Sequence, residues 1–180
     1  MGYERVLQDI TNMFDDDEQK LDVQVCFALY VASKELIRKY KPFLDPYRLT
    51  YTGYITLMAL WEKDDVSVKE LGEKLYLDSG TLTPLLKKLE KLNYVTRVKD
   101  EKDERTIKIK LTSTGRQLKK DMEKIPQQVY SEAQLGNVKS ILLLQTLRQL
   151  IDDMTEKPKQ EEEQKASTKK DNKKDQKKKR

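Results

Sequence analysis

Hydrophobic residues follow helical spacing in the central part of the chain. The segment TLTPLLKKLEKLNY predicts a one-sided helix, because its leucines recur at intervals of three, one, three and three residues. They are Leu82, Leu85, Leu86, Leu89 and Leu92. The preceding segment, SVKELGEKLYL, opens with Ser67 and Glu70 at capping-box spacing, and the polar turn YLDSG joins the two segments. Together they predict a helix-turn-helix.

Two β-rich segments, YVTRVK and RTIKIKLT, follow these helices. The second alternates, with Ile107, Ile109 and Leu111 on one face and polar residues on the other. A charged tip, DEKDE, separates the two segments. A β-hairpin directly after a helix-turn-helix predicts a winged helix. The predicted fold is therefore mainly α, with a small β-hairpin wing and long dimerisation helices.

Further helical segments flank the predicted winged helix. Residues 22–43 predict a long helix capped by Asp22, and LTYTGYITLMALWEK predicts a second helix. After the wing, Thr112 can cap a helix over 113–131 that Pro126 kinks. NVKSILLLQTLRQLIDDM predicts the last helix, whose apolar positions are too many for a lone terminal helix. We therefore expect this helix and the long first helix to form a homodimer interface.

The two ends of the chain differ from the body. Residues 1–17 carry apolar residues at helical spacing and end in DDDE, which predicts a short amphipathic helix. The predicted divisions are an N-terminal extension at 1–20, one domain at 21–155 and a disordered basic tail at 156–180. Within the domain, we expect 67–112 to bind DNA and both 21–50 and 113–155 to dimerise.

The positive charge is unevenly distributed along the chain. Residues 157–180 hold 11 Lys/Arg and 5 Asp/Glu, whereas residues 1–156 hold 25 Lys/Arg and 26 Asp/Glu. Solvation of a disordered tail is enough to explain its charge. Inside the body, however, residues 79–110 hold nine Lys/Arg against five Asp/Glu. That local excess on a winged helix is the electrostatic pattern of a DNA-binding surface.

Composition argues against several classes of function. The chain has one cysteine, Cys26, and no histidine, which excludes an intramolecular disulfide and the usual zinc sites. It also excludes Cys-His and Ser-His-Asp catalysis, and no Gly-rich phosphate loop is present. We therefore expect no enzyme, metal or cofactor. The acidic N-terminus and the lack of a long apolar run predict a cytoplasmic protein without a membrane partner.

These segments resemble a known family. DERTIKIKLTSTG is similar to the wing signature of MarR-family winged-helix regulators, through Asp103, Arg105, Leu111, Thr112 and Gly115. LGEKLYLDSGTLTPLLKKLEK and VCFALYVASKELIRKYKPFLD resemble its OhrR-, SarZ- and MgrA-like thiol-sensing branch, over about residues 21–155. The resemblance implies an intertwined homodimer on a pseudo-palindromic double-stranded operator. Each recognition helix would enter the major groove and each wing the adjacent minor groove.

The resemblance also implies which residues bind DNA. Those at or near the major groove are Ser79, Thr81, Pro84, Lys87 and Lys88, and those of the wing are Asp103 and Arg105. Arginine suits a narrow minor groove, and hydroxyl groups at a helix N-terminus bind phosphate. The lysines alone would be interpreted as the solvated face of a helix. The wing that follows favours DNA contact.

Cys26 is the candidate sensor residue. Tyr30 lies one helical turn after it, but Tyr40 follows fourteen residues later, roughly 21 Å along the same helix. The resemblance implies that Tyr40 and Tyr51 of the partner subunit hydrogen-bond to Cys26. The helix dipole and phenol donors would stabilise a thiolate that a hydroperoxide oxidises to a sulfenic acid. A mixed disulfide with a small thiol would follow, and DNA would be released.

Other interpretations of the chain remain open at this point. Cys26 could be a small buried hydrophobic residue, as a lone cysteine on an apolar helix usually is. A regulator of the same fold could respond to a small phenolic ligand and be insensitive to oxidants. The winged helix could serve as a protein-interaction module without affinity for duplex DNA. Thiol peroxidase activity would require repeated turnover of Cys26 with a reductant.

Overall fold

A computed structural model of the chain describes residues 20–100 and 103–155, together with Glu4. The helix predicted over 1–17 and the tail predicted over 156–180 lie outside the described residues. The chain divides into two units between Gln134 and Leu135. Among the described residues, no helix is both long enough and apolar enough to span a membrane.

The first unit contains most of the helices and all of the described strands. Its helices are α1 (Val25–Leu44), α2 (Tyr51–Glu62), α3 (Val68–Leu75), α4 (Ser79–Lys91), α5 (Ser113–Asp121) and α6 (Ile125–Glu132). Its strands are β1 (Val66–Ser67), β2 (Val95–Lys99) and β3 (Ile107–Leu111), and 3₁₀ turns span Leu21–Val23 and Asp45–Tyr47. The second unit contains α7 (Asn137–Thr155). The predicted fold class, mainly α with a small wing, is confirmed.

Short polar side chains cap the helices of the winged helix. The Ser67 hydroxyl accepts the backbone N–H of Glu70 at 3.1 Å, and the Glu70 carboxylate accepts that of Ser67 at 2.8 Å. This confirms the predicted capping box of α3. Thr112 caps α5 as predicted, by accepting the N–H of Gly115 at 2.9 Å. Each cap satisfies a backbone donor that a helix N-terminus leaves unpaired.

Two predicted features of the flanking helices were wrong. Asp22 does not cap α1: it lies inside the 3₁₀ turn, and the extended residue Gln24 precedes the helix without a capping side chain. The single kinked helix predicted over 113–131 is instead two helices, α5 and α6. The chain turns between them so that Met122 and Ile125 are both buried. Pro126 lies in the first turn of α6, where its missing N–H costs no helical hydrogen bond.

The wing is part of a three-stranded antiparallel sheet with the order β1-β3-β2. Val95 pairs with Leu111 in the predicted hairpin, and Val66 of the short strand β1 pairs with Ile109 on the other side of β3. These four residues are buried. The hairpin therefore places one apolar face on the core of the first unit.

Two glycines permit close backbone approaches in the winged helix. A Cβ at Gly72 would lie 2.8 Å from the carbonyl oxygen of Leu77, where the chain turns between α3 and α4. A Cβ at Gly115 would overlap the carbonyl oxygen of Tyr94, where α5 meets the base of the wing. Only glycine fits at either position without movement of the backbone. The two glycines thus fix the turn of the helix-turn-helix and the root of the wing.

Candidate DNA-binding surface and thiol site

Helix α4 presents the predicted recognition residues on its exposed side. Leu82, Leu86 and Leu89 are buried in the core of the first unit. The exposed residues of α4 include Ser79, Thr81, Pro84, Lys87 and Lys88, all five predicted to lie at the major groove. The amphipathic pattern therefore fixes which face of α4 is available to a partner.

The N-terminus of α4 is capped by Asp78. Its carboxylate accepts the backbone N–H and the hydroxyl of Thr81, each at 2.9 Å. The backbone hydrogen bond from Thr81, followed by that from its hydroxyl, lowers the pKa of Asp78. A charged carboxylate therefore occupies the end of α4, where an anion would otherwise bind. The Thr81 hydroxyl serves this cap, which leaves the lysines as the cations of the exposed face.

Cations of the wing strands and of α4 differ in their partners. On β3, Lys108 lies 3.0 Å from Asp100 and Lys110 lies 3.3 Å from Asp65. Some cations form no ion pair with any described residue: Lys87, Lys88, Lys91 and Arg105. The lysines of α4 and Arg105 of the wing are therefore available to a polyanion.

Asp103 organises the wing tip around Arg105. Its carboxylate accepts the backbone N–H of Arg105 and the hydroxyl of Thr106, each at 3.0 Å. The backbone N–H of Asp103 in turn donates to Asp100 at 3.2 Å. Both carboxylate oxygens of Asp103 thus hold the turn, and the Arg105 side chain remains exposed. In the Asp-x-Arg pattern of the sequence, the first residue shapes the tip and the second is displayed by it.

A cleft of about 390 Å³ separates the wing from the helix-turn-helix. Its polar lining comprises Ser67 and Lys69 of α3 and its cap, Thr83 of α4, Arg97 of β2, and Arg105 and Thr106 of the wing. The backbone N–H of Arg97 donates to the Glu90 carboxylate at 3.2 Å, and the Arg97 guanidinium lies 3.9 Å from the same carboxylate. Sequence analysis missed Lys69, Thr83 and Arg97, because no periodicity or spacing links residues of three separate elements.

Cys26 and Tyr30 lie near the start of α1. Cys26 is exposed and is the second residue of the helix, so it lies within the first turn. Tyr30, one turn later, is 60% exposed, and the Lys34 ammonium lies 5.8 Å from the centre of its ring. The interpretation of Cys26 as a buried hydrophobic residue does not hold within this chain. Because Tyr40 lies roughly 21 Å along the same helix, one chain cannot bring it to Cys26.

Four tyrosines from three helices form what we term the tyrosine cluster: Tyr40 of α1, Tyr51 and Tyr54 of α2, and Tyr130 of α6. The ring centres of Tyr40 and Tyr51 are 5.0 Å apart, and those of Tyr40 and Tyr54 are 5.8 Å apart. Tyr130 lies on α6, which packs against α1, and its phenol is near enough to influence the pKa of Tyr40. The structure thus places together the two tyrosines, Tyr40 and Tyr51, that were predicted to serve one thiol.

The environment of the tyrosine cluster keeps its buried phenols protonated. Burial, followed by the nearby phenols of Tyr130, Tyr51 and Tyr54, raises the pKa of Tyr40 well above its usual value. Burial, followed by the nearby Tyr130, raises the pKa of Tyr51 in the same direction. At neutral pH both phenols therefore retain the O–H with which they can donate a hydrogen bond.

A helix-turn-helix followed by a β-hairpin, with exposed cations on the second helix and at the hairpin tip, defines a winged-helix DNA-binding protein. A family model described as "Transcriptional regulator SarA/Rot" matches residues 38–122. SarZ of Staphylococcus epidermidis is 45% identical over 137 residues, which are 76% of this chain and 93% of SarZ. SarZ of Staphylococcus aureus is 47% identical over 131 residues, 73% and 88% of the two chains. The chain belongs to the SarZ family of HTH-type transcriptional regulators.

Solved structures agree with this assignment. Reduced AbfR bound to DNA has a TM-score of 0.63 at 29% identity, covering 79% of this chain and 100% of AbfR. A further crystal structure, of AbfR of Staphylococcus epidermidis, matches with a TM-score of 0.62 at 27% identity and covers 78% of this chain and 97% of AbfR. MarR, at 17% identity with a TM-score of 0.63 over 72% and 96%, shares the fold. The predicted MarR-type, SarZ-like and non-enzymatic regulator is therefore confirmed.

Proposed function

We propose that this DNA-binding regulator is a homodimeric repressor that senses organic hydroperoxides or related oxidants through Cys26. Oxidation or S-thiolation of Cys26 releases the operator. The observation that carries the proposal is the separation of the thiol from its expected partners. Cys26 is exposed in the first turn of α1, and Tyr40 and Tyr51 lie together elsewhere in the chain, with a ring-centre distance of 5.0 Å.

A second chain resolves this separation. Antiparallel pairing of α1 with α1 of a partner subunit would bring each Cys26 to the part of the other helix that bears Tyr40, beside which Tyr51 lies. Leu21 of the 3₁₀ turn and Val25 and Val31 in the first turns of α1 are exposed in the single chain, as are apolar residues of α7. Contiguous apolar residues exposed on a protein surface mark interaction sites. Homodimerisation would cover them and complete the thiol site at once.

The chemistry follows from the groups that the dimer would bring together. The Cys26 thiolate attacks one oxygen of a hydroperoxide, the O–O bond breaks, and an alcohol leaves with a proton from solvent. A small cellular thiol then condenses with the sulfenic acid, so that an S–S bond forms and water leaves. AbfR, a structural neighbour, has been solved in reduced, overoxidised and disulfide forms. These forms support oxidation as the signal.

DNA contact is proposed for α4, the wing and the cleft between them. Lys87 and Lys88 face the major groove with Ser79, Thr81 and Pro84, and Arg105 reaches the minor groove from a tip shaped by Asp103. Lys69 and Arg97 line the cleft and would contact the sugar-phosphate backbone. Because dimers read half-sites at a fixed spacing, an adduct that alters the dimer interface would lower affinity for the operator.

An aromatic path connects the thiol site with the wing. Tyr54 of the tyrosine cluster lies 6.2 Å from Trp61, measured between ring centres. The indole N–H of Trp61 donates to the carbonyl oxygen of Gly115 at 2.9 Å, and Gly115 lies against Tyr94 at the root of the wing. If an oxidised Cys26 displaced Tyr40 and Tyr51, the movement would therefore press on Tyr54 and, through Trp61 and Gly115, on the root of the wing.

Replacement of Cys26 tests the proposed sensor. A duplex selected from a random library should bind both the wild-type dimer and Cys26→Ser. Cumene hydroperoxide with a small thiol should release DNA from the wild type only, and intact-mass measurement should show one thiol adduct on it. If Cys26→Ser releases DNA equally, the signal acts elsewhere in the protein.

Replacement of Arg105 tests the proposed wing contact. Arg105→Ala should weaken binding to the selected duplex by about 1–3 kcal/mol, because a groove contact is lost. Lys119→Ala, an equally exposed cation on α5, should bind as the wild type does and serves as the control. Unchanged affinity of Arg105→Ala in a fluorescence anisotropy titration would remove the wing tip from the interface.

A further inference from the structure

Glu90 connects helix α4 with the wing. It is exposed near the C-terminal end of α4, the helix that bears the proposed major-groove residues. One oxygen of its carboxylate accepts the backbone N–H of Arg97 on β2 at 3.2 Å, and the other lies 3.9 Å from the Arg97 guanidinium. Two elements that are proposed to enter different grooves of DNA are thus joined through one carboxylate.

The position of β2 in the sheet explains this hydrogen bond. The strand order is β1-β3-β2, so β2 lies at an edge, and no strand of the described residues pairs with its outer side. A backbone N–H on that side must find another acceptor or water. Helix α4 packs against β2, and Glu90 supplies the acceptor for Arg97. The bond therefore fixes the hairpin against α4 at one point of its backbone.

The same arrangement leaves the donors of the Arg97 guanidinium available. At 3.9 Å, the guanidinium is too far from Glu90 for a hydrogen bond. The Nε of Arg97 is buried and has no hydrogen-bond partner among the described residues. Buried donors without an acceptor are rare in proteins, and Arg97 lines the cleft between the wing and the helix-turn-helix. Glu90 thus holds the backbone of Arg97 while the side chain keeps its donors for a phosphate of DNA.

We propose that Glu90 is a positioning residue for DNA binding, which holds the wing and Arg97 where they can contact DNA together with α4. The inference rests on the DNA contacts proposed above and adds to them a residue that itself touches no DNA. A carboxylate near DNA repels phosphates, so charge alone would make Glu90 unfavourable for binding. Removal of its acceptor should nevertheless weaken binding, although a negative charge is removed with it.

Two substitutions of Glu90 separate the acceptor from the charge. Glu90→Gln and Glu90→Ala both remove the negative charge, but only glutamine keeps an oxygen that can accept the N–H of Arg97. In fluorescence anisotropy titrations of the full-length protein with the selected duplex, Glu90→Gln should bind at least as tightly as the wild type. Glu90→Ala should bind about threefold more weakly or worse, as expected for the loss of one hydrogen bond.

Glu73 provides a control for the loss of charge. It is an exposed carboxylate of α3 that lies 3.9 Å from Lys69 of the same helix, and no hydrogen bond of the described residues joins its side chain to the wing. Glu73→Ala removes a negative charge from the helix-turn-helix, as Glu90→Ala does. It should bind the duplex at least as tightly as the wild type.

A double variant tests whether Glu90 acts through the wing. Arg105→Ala should weaken the Glu90→Ala protein less than it weakens the wild type, because Arg105 on a displaced wing no longer makes its full groove contact. A merely structural role of Glu90 would lower the urea midpoint but leave the effect of Arg105→Ala unchanged. Circular dichroism identifies conditions in which every variant is folded, and the titrations are made there.

The possible failures can be told apart. If Glu90→Ala binds as tightly as the wild type, or if Glu90→Gln binds as weakly as Glu90→Ala, this inference is overturned and the proposed DNA contacts stand. It is also overturned if the effects of Glu90→Ala and Arg105→Ala add, since Glu90 would then act independently of the wing. If Arg105→Ala alone has no effect, the proposed wing contact fails, and the role of Glu90 fails with it.

Discussion

The winged helix and helix α7 both carry leucine-rich faces, but the two faces differ in exposure. In the winged helix, Leu86, Leu89 and Ile109 are almost completely buried, and Leu89 is 0% exposed. In α7, Leu143 is 44% exposed and Met154 is 69% exposed. Apolar residues of the winged helix are thus covered by other residues of the same chain, whereas those of α7 are not.

This difference indicates where one chain is sufficient and where it is not. Burial of an apolar side chain against its own fold stabilises the monomer by about 1.5–3 kcal/mol. The same side chain on an exposed face yields that free energy only when a partner covers it. The winged helix is therefore expected to be stable within one subunit, and the proposed dimer is expected to depend on α7 and the first turns of α1.

The largest expected effect is a cavity in the winged-helix core. Leu89→Ala should lower the free energy of unfolding by about 2–5 kcal/mol, because it removes a fully buried side chain. Urea denaturation followed by circular dichroism measures this loss. Lys88→Ala, at the adjacent exposed position, should change it by less than about 0.5 kcal/mol. Comparable losses in both variants would contradict the core assigned here to α4.

A charge on the apolar face of α7 should act on assembly instead. Leu143→Lys is expected to raise the dimer dissociation constant at least about tenfold, equivalent to about 1.4 kcal/mol, because the interface would have to bury an unpaired ammonium. Sedimentation velocity over a range of protein concentrations measures the change. Gln145→Lys, on the polar face of α7, adds the same charge as a control. A dimer equally strong in both variants would place the interface elsewhere.

The smallest expected effect concerns the cap of α3 and appears as a pH dependence. The backbone hydrogen bond from Ser67, followed by contacts with the Ser67 hydroxyl and Lys63, lowers the pKa of Glu70 from 4.5 to about 2. A depressed carboxyl pKa contributes stability above pH 4.5 that is lost as the pH falls toward 2. Glu70→Gln lacks this contribution throughout the pH range.

The difference in urea midpoint between wild type and Glu70→Gln should therefore shrink as the pH is lowered from 4.5 toward 2. Glu123→Gln, at an exposed position outside any helix cap, controls for the loss of one negative charge. A difference between wild type and Glu70→Gln that is constant over this interval would show that the capping box does not depend on the charge of Glu70.

Local patterns account for the parts of the fold that were predicted correctly. The leucine spacing of α4, the Ser67–Glu70 capping box and the alternation along β3 each reflect interactions within a few residues. Features that depend on distant residues were missed or wrong. Strand β1 has only two residues and no pattern of its own, since its partner Ile109 lies far away in the sequence. The break after Asp121 arises because Met122 and Ile125 both turn into the core.

The candidate sites divide in the same way. Spacing and charge pointed to Lys87, Lys88, Arg105 and Cys26, because each lies in a segment with a recognisable pattern. Spacing and charge could not identify the side chains that other segments contribute to these sites. Arg97 and Lys69 reach the cleft from a strand and a helix, and Tyr40 meets Tyr51 of the next helix.

The sequence by itself determined the helix-turn-helix, the wing, the charge that marks the DNA-binding surface and the single thiol, since each is written in neighbouring residues. It also determined that Cys26 and Tyr40 are too far apart on one helix to meet. Only the tertiary structure decided that Tyr40 and Tyr51 lie together, that Asp103 shapes the tip bearing Arg105, and that α7 leaves its leucines exposed. Those features depend on which elements pack together, and packing is decided by the whole chain.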